Sequence, residues 1–298
     1  MSDDRIEFAE AVREHLDSHQ PSMKLNRRGF VSATLSTGFA LAVSPVQAQT
    51  AIRTPADGLT AGPVRIPVKE GEIPAYRAMP QGKTGLATIL VVSEIWGVHE
   101  YIQDVCRRLA KLGYLAVAPE LFVRLGDIGK AESIAAIMRD FVSRTPVAQV
   151  MGDLDATAAW AARNGGDPGR LGVTGFCWGG QMTLMYAAHN PKLSAAVAWY
   201  GVLSAARVAG DRTVLEVAST IKVPVLGLFG GKDGGIPVSD VDKLREQLKA
   251  GGNRQSEIVV YPDAGHAFHA DYRPSYVKEA ADDGWKRMAD WFKSHGLG

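Results

Sequence analysis

Strand patterns and helix patterns alternate along almost the whole chain, and this alternation restricts the fold more than any other feature. Residues 88–92, Thr-Ile-Leu-Val-Val, form a continuous apolar run typical of a strand buried on both faces. Residues 101–112 then carry apolar side chains at helical spacing, and Gly113 ends that helix. Because such pairs recur to the C-terminus, the sequence predicts a mostly parallel sheet between two helical layers, a three-layer α/β/α sandwich.

The remaining predicted elements follow the same rhythm. Strands are predicted at 114–118, 170–174, 195–200, 223–229 and 257–261, and helices at about 131–142, 147–163, 178–188, 238–249 and 275–295. Upstream, residues 64–68 and 73–76 alternate around Gly71 and contain prolines, which favours a hairpin at an edge of the sheet.

The N-terminus has the pattern of an export signal. Arg27 and Arg28 precede an uncharged run at 31–46, and Ala48 ends the segment, so residues 1–48 predict a twin-arginine signal. The run is short and weakly apolar for a membrane span, so no stable membrane association is expected after cleavage. The sequence thus predicts a periplasmic or exported protein. The alternative is an ordinary amphipathic helix on a cytoplasmic protein.

A loose linker is expected at 49–62 and a single domain at 63–298. The chain has 33 basic and 32 acidic residues, which gives no electrostatic reason to expect a nucleic-acid partner. Its two cysteines, Cys106 and Cys177, lack the spacing of a metal site. We therefore expect no metal or cofactor, a small-molecule substrate, and a monomer or small homo-oligomer.

The strongest local motif is Gly175-Phe176-Cys177-Trp178-Gly179-Gly180, which joins a predicted strand to a predicted helix. It has the G-x-nucleophile-x-G pattern of the α/β-hydrolase elbow, with cysteine in place of serine. The flanking glycines allow strand and helix to approach closely around a strained turn. A helix N-terminus also favours a thiolate. Cys177 is therefore the candidate nucleophile, and the alternative is a buried structural cysteine.

A nucleophile of this kind needs a base and an orienting acid, which follow it in that fold in the order acid, then histidine. Asp233 lies in a glycine-rich loop directly after one predicted strand, and His266 lies directly after the next. Both would therefore reach the same sheet edge as Cys177. Asp263 is a rival acid, although a turn role suits it better because it is so close to His266.

The loop Ser93-Glu94-Ile95-Trp96-Gly97 directly follows the strand at 88–92. In α/β-hydrolases this loop supplies one amide of the oxyanion hole. A carboxylate such as Glu94 facing a thiol is unusual there, and the alternative is a solvated loop residue. His99 and His269 are open candidates for lining the site.

Together the segments Glu94–Gly97, Pro119–Phe122 and Gly175–Gly180, with Asp233 and Gly265–Phe268, resemble the dienelactone hydrolase family from about residue 63 to 295. The resemblance implies that Cys177 attacks an ester or lactone carbonyl while His266 acts as base, oriented by Asp233. It implies an oxyanion hole from the amides of Ile95 and Trp178. It also implies that Glu94 holds the resting thiol and takes its proton when substrate displaces the carboxylate.

The family holds a substrate carboxylate with arginines, and this sequence departs from that pattern. Arg273 follows His266 but not at the matching position, and Arg124, Arg139 and Arg144 compete for the second role. Candidate substrate contacts are Arg124, His269, Arg273 and Trp96. The resemblance implies a hydrolase of a small lactone or carboxylic ester. The alternatives are a broader carboxylesterase or thioesterase, and a hydrolase-fold protein that binds a small acid without turnover.

Overall fold

A computed structural model describes residues 52–298. The predicted export signal at 1–48 lies outside the described residues. Within 52–298, no helix is long and apolar enough to cross a membrane.

Within the described part of the chain, eight strands form one sheet, in the order β1-β2-β4-β3-β5-β6-β7-β8. The strands are β1 (Leu59–Val68), β2 (Gly71–Pro80), β3 (Leu86–Val92), β4 (Leu115–Pro119), β5 (Gly166–Phe176), β6 (Ala195–Trp199), β7 (Val225–Gly230) and β8 (Glu257–Tyr261). β1 and β2 form an antiparallel hairpin, and β2 also pairs antiparallel with β4. The other pairings in this sheet are parallel. The predicted mostly parallel α/β sheet is confirmed.

Seven α-helices are described; the last, α7, follows the final strand, and the other long helices lie between parallel strands in the chain. They are α1 (Glu100–Lys111), α2 (Ile134–Asp140), α3 (Val147–Arg163), α4 (Trp178–His189), α5 (Val214–Val217), α6 (Val238–Ala250) and α7 (Lys278–Phe292). The central strands β3, β4, β6 and β7 are buried almost throughout. Because helices cover both faces of the sheet, the sequences of these strands are continuous apolar runs and do not alternate between apolar and polar residues.

The hairpin begins earlier than the sequence predicted. β1 starts at Leu59, inside the segment 49–62 that was expected to be a loose linker, because Leu59 pairs with Pro80 at the far end of β2. Just upstream, the Thr54 N–H donates to Asp104 Oδ1 at 2.5 Å, which attaches the segment to α1. The polar, proline-containing sequence concealed these long-range contacts.

The sheet register brings the carboxyl ends of five strands, and so the starts of five loops, to one edge. Val92 at the end of β3 pairs with Gly175 in β5, and Phe176 pairs with Trp199 at the end of β6. Gly230 at the end of β7 pairs with Tyr261 at the end of β8. Since adjacent strands are about 4.8 Å apart, the residues that follow these ends form one cluster. In open α/β sheets this carboxyl edge is where ligands bind.

Candidate active site

Cys177 occupies a sharp turn between β5 and α4. Its φ of 55° and ψ of −117° lie outside the regions that a non-glycine residue normally adopts. The Cys177 N–H donates to the carbonyl of Trp199 at 3.1 Å, which fixes the turn to the neighbouring strand. Strain of this kind persists only where surrounding contacts impose it, and it is common at active sites.

The two glycines around Cys177 are required by close packing of backbone. A Cβ added at Gly179 would clash with the carbonyl oxygen of Val92 at the end of β3, and one at Gly175 would clash with the backbone of Gly179. A side chain at either position would therefore separate α4 from the sheet. The elbow predicted from the glycine spacing is the one observed.

His266 and Asp233 form a buried pair at the same edge. His266 Nδ1 lies 2.7 Å from Asp233 Oδ2, and both side chains are almost fully buried. The other carboxylate oxygen of Asp233 accepts the Gly235 N–H at 3.0 Å. Burial acts to lower the pKa of His266, but the charges of Asp233 and Cys177 and hydrogen bonds to both raise it to about 10. The imidazole is therefore oriented by Asp233 and interacts with the Cys177 sulfur.

The rival acid is in another environment. The Asp263 side chain is 85% exposed and pairs with Lys232 at 2.8 Å. The backbone N–H of Lys232 also donates to the carbonyl of Ala264 at 2.9 Å, which links the loop after β7 to the loop after β8. Asp263 is thus part of the turn that carries His266, and Asp233 is the carboxylate that contacts the imidazole.

Glu94 is a buried carboxylate with its own set of partners. Its Oε2 accepts a hydrogen bond from the hydroxyl of Tyr272 at 2.5 Å and lies 3.6 Å from His99 Nε2. Burial acts to raise the pKa of Glu94, but the Arg273 charge and the contacts with His99 and Tyr272 outweigh it and lower the pKa to about 2. Glu94 Oε1 accepts no hydrogen bond from any residue in 52–298.

Arg273 lies beside this carboxylate. Its Nε donates to the Tyr272 hydroxyl at 3.0 Å, and its guanidinium carbon is 5.5 Å from the centre of the Trp96 ring. The charges of Tyr272, Glu94 and Cys177 raise the pKa of Arg273 against the opposing effect of burial. The candidate substrate contacts Arg273 and Trp96 therefore lie together beside Glu94.

Two other candidate substrate contacts have different surroundings. The guanidinium of Arg124 binds both oxygens of Asp153, at 2.7 and 2.8 Å, and also reaches Glu70 in the β1–β2 turn. Those carboxylates occupy it, so we assign Arg124 to the structure rather than to substrate.

His269 is buried under the site among aromatic rings. Its Nδ1 lies 2.6 Å from the Tyr101 hydroxyl, and its ring stacks on Trp285 and Phe176. Burial and the Arg108 charge lower the pKa of His269 to about 3, so the ring is neutral at ordinary pH. It packs and hydrogen-bonds in the core, which does not favour the substrate contact expected from sequence.

Sequence reasoning missed Tyr272 and Arg207. Tyr272 is 178 positions from Glu94, so only the folded chain brings the two together. Arg207 lies in the loop after β6, and its charge interacts with that of Cys177. A basic residue in a loop at the carboxyl end of a parallel strand was the available signal.

This sheet, its strained strand-to-helix turn and the His266–Asp233 pair define an α/β-hydrolase fold. The profile of the Dienelactone hydrolase family matches residues 73–296. The chain belongs to the dienelactone hydrolase family.

Relatives of similar length support this membership. A protein of Methylorubrum extorquens named "Putative carboxymethylenebutenolidase" is 56% identical over 92% of this chain and 94% of its own. One of Escherichia coli K12 with the same name is 50% identical over 89% of this chain and 98% of its own. The solved structure titled "Crystal Structure of Putative Dienelactone Hydrolase from Klebsiella pneumoniae subsp. pneumoniae MGH 78578" is 51% identical, with a TM-score of 0.77 over 79% of this chain and 98% of that one.

Proposed function

We propose that this hydrolase cleaves a small lactone or carboxylic ester through a covalent intermediate on Cys177. The observation that carries the proposal is the 2.7 Å contact between His266 and Asp233 beside a cysteine on a strained elbow. A nucleophile, a base that interacts with it and an acid that orients the base are the elements of triad catalysis. No metal or cofactor is part of the proposal.

In the first half-reaction, the Cys177 sulfur attacks the carbonyl carbon after its proton has moved to His266 Nε2. The resulting oxyanion is stabilised by the backbone N–H groups of Ile95 and Trp178. Trp178 is the first residue of α4, so its N–H has no partner within the helix. When the tetrahedral intermediate collapses, the carbon–oxygen bond breaks, and His266 gives its proton to the departing alkoxide.

In the second half-reaction, water attacks the thioester carbonyl while His266 Nε2 accepts the water proton. When this intermediate collapses, the carbon–sulfur bond breaks and the carboxylic acid is released. His266 returns its proton to the sulfur, which restores the free thiol. With a lactone, the alcohol formed in the first step stays attached to the acyl group. Ring opening therefore gives one hydroxy acid, whereas an ester gives an alcohol and an acid.

We propose that His266, rather than Glu94, takes the proton of the thiol in the described arrangement, and the directions of their pKa shifts support this. Glu94 is stabilised as a carboxylate and is a weak base, whereas His266 is stabilised as a cation. We propose that Glu94 takes up the resting role implied by the family only when it leaves Tyr272 and Arg273. The contact with Tyr272 then corresponds to the displaced, substrate-bound position of the carboxylate.

Hydrolysis of p-nitrophenyl acetate, with and without prior treatment with iodoacetamide, tests the proposal. Wild-type enzyme should release p-nitrophenolate, and alkylation or Cys177→Ala should abolish release. Cys106→Ala is the matched control, because Cys106 is a fully buried free thiol in α1. Activity that survives both alkylation and Cys177→Ala would exclude the cysteine mechanism. Absence of turnover with simple esters and lactones would favour a binding protein instead.

A further inference from the structure

The segment Glu120–Phe122 begins at the carboxyl end of β4, and its side chains contact both elements that carry the proposed oxyanion hole. The backbone N–H of Glu120 donates to the carbonyl of Pro74 at 2.9 Å, which attaches the start of the segment to β2. Phe122, at its other end, is buried in the core. Neither side chain takes part in the proposed half-reactions, so their contacts need a separate explanation.

The carboxylate of Glu120 holds the loop that follows β3. Its Oε1 accepts the backbone N–H of Val98 at 2.8 Å. The carbonyl of Val98 accepts a hydrogen bond from the side-chain amide of Gln103 in α1 at 3.0 Å, so both backbone polar groups of Val98 are fixed. Val98 is three residues after Ile95, whose N–H is one of the two proposed oxyanion donors. This contact therefore restrains the position of that N–H.

The loop comes close to the carboxylate because residue 97 is a glycine. Gly97 has a φ of 73°, and a Cβ added there would lie 2.9 Å from Glu120 Oε2. Burial raises the pKa of Glu120, the N–H of Val98 opposes this rise, and the charge of Asp127 adds to it. Glu120 makes no ion pair with any residue in 52–298. A charge-assisted hydrogen bond to Val98 thus stabilises a half-buried carboxylate that lacks a cation.

Phe122 supports the other half of the oxyanion hole. The centre of its ring is 4.5 Å from that of Trp178, and both side chains are buried. Aromatic pairs at this separation attract each other beyond the effect of burial alone. Trp178 is the first residue of α4, and its N–H is the second proposed donor. The segment therefore contacts the elements that carry both donors.

We propose that the segment Glu120–Phe122 positions the oxyanion hole, with Glu120 as a positioning residue that fixes the N–H of Ile95 through Val98. The inference rests on the proposed esterase function of Cys177. Oxyanion donors are effective only where negative charge develops, and a misplacement of about 1 Å can lower a rate about 100-fold. One segment that holds both elements keeps the two donors at a constant separation through both half-reactions.

Ester hydrolysis and thiol alkylation by the same variants test the inference. Attack of the Cys177 sulfur on p-nitrophenyl acetate forms an oxyanion, whereas displacement of iodide from iodoacetamide forms none. Glu120→Met removes the acceptor and keeps the length of the side chain. Its kcat/KM for the ester should fall roughly 10- to 100-fold, while its rate constant of alkylation should change less than about threefold. Glu120→Gln keeps an acceptor oxygen and should recover most of the ester rate. Phe122→Leu removes the ring contact and should show the same selective loss as Glu120→Met.

Asp127→Asn is the matched control, because Asp127 is a neighbouring carboxylate that is 61% exposed and pairs with Lys130. It should keep wild-type rates in both reactions. Hydrogen exchange of the peptide that contains Val98 gives a second measurement that needs no turnover. Exchange should be faster than wild type in Glu120→Met, because the amide has lost its acceptor, and unchanged in Asp127→Asn.

Equal losses of ester hydrolysis and alkylation in Glu120→Met would overturn the inference, because the defect would then lie in the thiol or in the fold. Unchanged hydrolysis by Glu120→Met or Phe122→Leu would also overturn it, as would a Glu120→Gln variant as slow as Glu120→Met. If wild type hydrolyses no ester, the proposed function fails, and hydrogen exchange alone decides. An unchanged exchange rate at Val98 in Glu120→Met would then overturn the role of Glu120 in fixing the loop.

Discussion

The hydroxyl of Tyr272 donates a hydrogen bond of 2.5 Å to Glu94 Oε2, and Arg273 donates to the same hydroxyl. This contact fixes one position of a carboxylate that the family resemblance places against the resting thiol. Because the contact also helps to hold the pKa of Glu94 low, it separates Glu94 from the role of base. We therefore propose that Tyr272 is a positioning residue that acts through Glu94.

Tyr272→Phe removes this hydrogen bond and keeps the aromatic ring. We expect the pKa of Glu94 to rise, so that the acid limb of the pH profile of kcat/KM moves to higher pH. The rate at neutral pH should fall about 10-fold or more, as expected for the loss of one hydrogen bond to a charged group. Steady-state kinetics from pH 4 to 9 would measure both effects. A uniform loss of rate with an unmoved acid limb would show a structural role only.

Asp233→Asn should leave the fold intact and reduce kcat about 10³- to 10⁴-fold. An amide cannot stabilise the imidazolium, and it favours the wrong tautomer of His266. Asp263→Asn is the matched control because its carboxylate is exposed and pairs with Lys232. It should keep wild-type kcat. If the two variants exchanged behaviours, the assignment of the acid would be wrong.

At acid pH, the stability of the protein should depend on the charge of Glu94. The pKa of Glu94 is about 2 in the folded chain and 4.5 in the reference state. Its contribution to the free energy of unfolding is therefore complete above about pH 4.5 and is lost as the pH falls towards 2. The full shift corresponds to about 3 kcal/mol. Urea unfolding at several pH values should show a shallower acid loss in Glu94→Gln than in wild type. Parallel pH dependences would contradict a depressed pKa.

The predicted export signal at 1–48 has its own test. We propose that Arg27 and Arg28 direct the chain through the twin-arginine route. Fractionation of cells should then find the protein outside the cytoplasm in a shortened form. The variant Arg27→Lys/Arg28→Lys should accumulate at full length in the cytoplasm. A full-length cytoplasmic chain that is unaffected by the substitutions would refute the proposal.

The sequence predicted those features that depend on the ends of single strands. Cys177, Asp233 and His266 each directly follow an apolar run, so the parallel sheet alone brings them to one edge. Tyr272 could not be predicted in this way, because its contact with Glu94 joins two loops far apart in the chain. For Arg207, the signal was present, but only the folded chain shows that its charge interacts with that of Cys177.

Predictions made from local sequence alone were less reliable where a residue contacts a distant segment of the chain. Arg124 was a candidate substrate contact until Asp153 and Glu70 were seen to bind its guanidinium. The start of β1 at Leu59 was hidden because its pairing with Pro80 lies outside any local pattern. In each case a contact between distant segments determined the outcome.

We propose that Cys177 carries the acyl group during turnover, and trapping of that intermediate tests this directly. Wild-type enzyme mixed with p-nitrophenyl acetate is quenched in acid and digested, and the peptides are examined by mass spectrometry. We expect an acetyl group on the peptide that contains Cys177, released by hydroxylamine and absent from Cys177→Ala. An acetyl group on another residue whose substitution abolishes turnover would contradict it, as would undiminished turnover by Cys177→Ala.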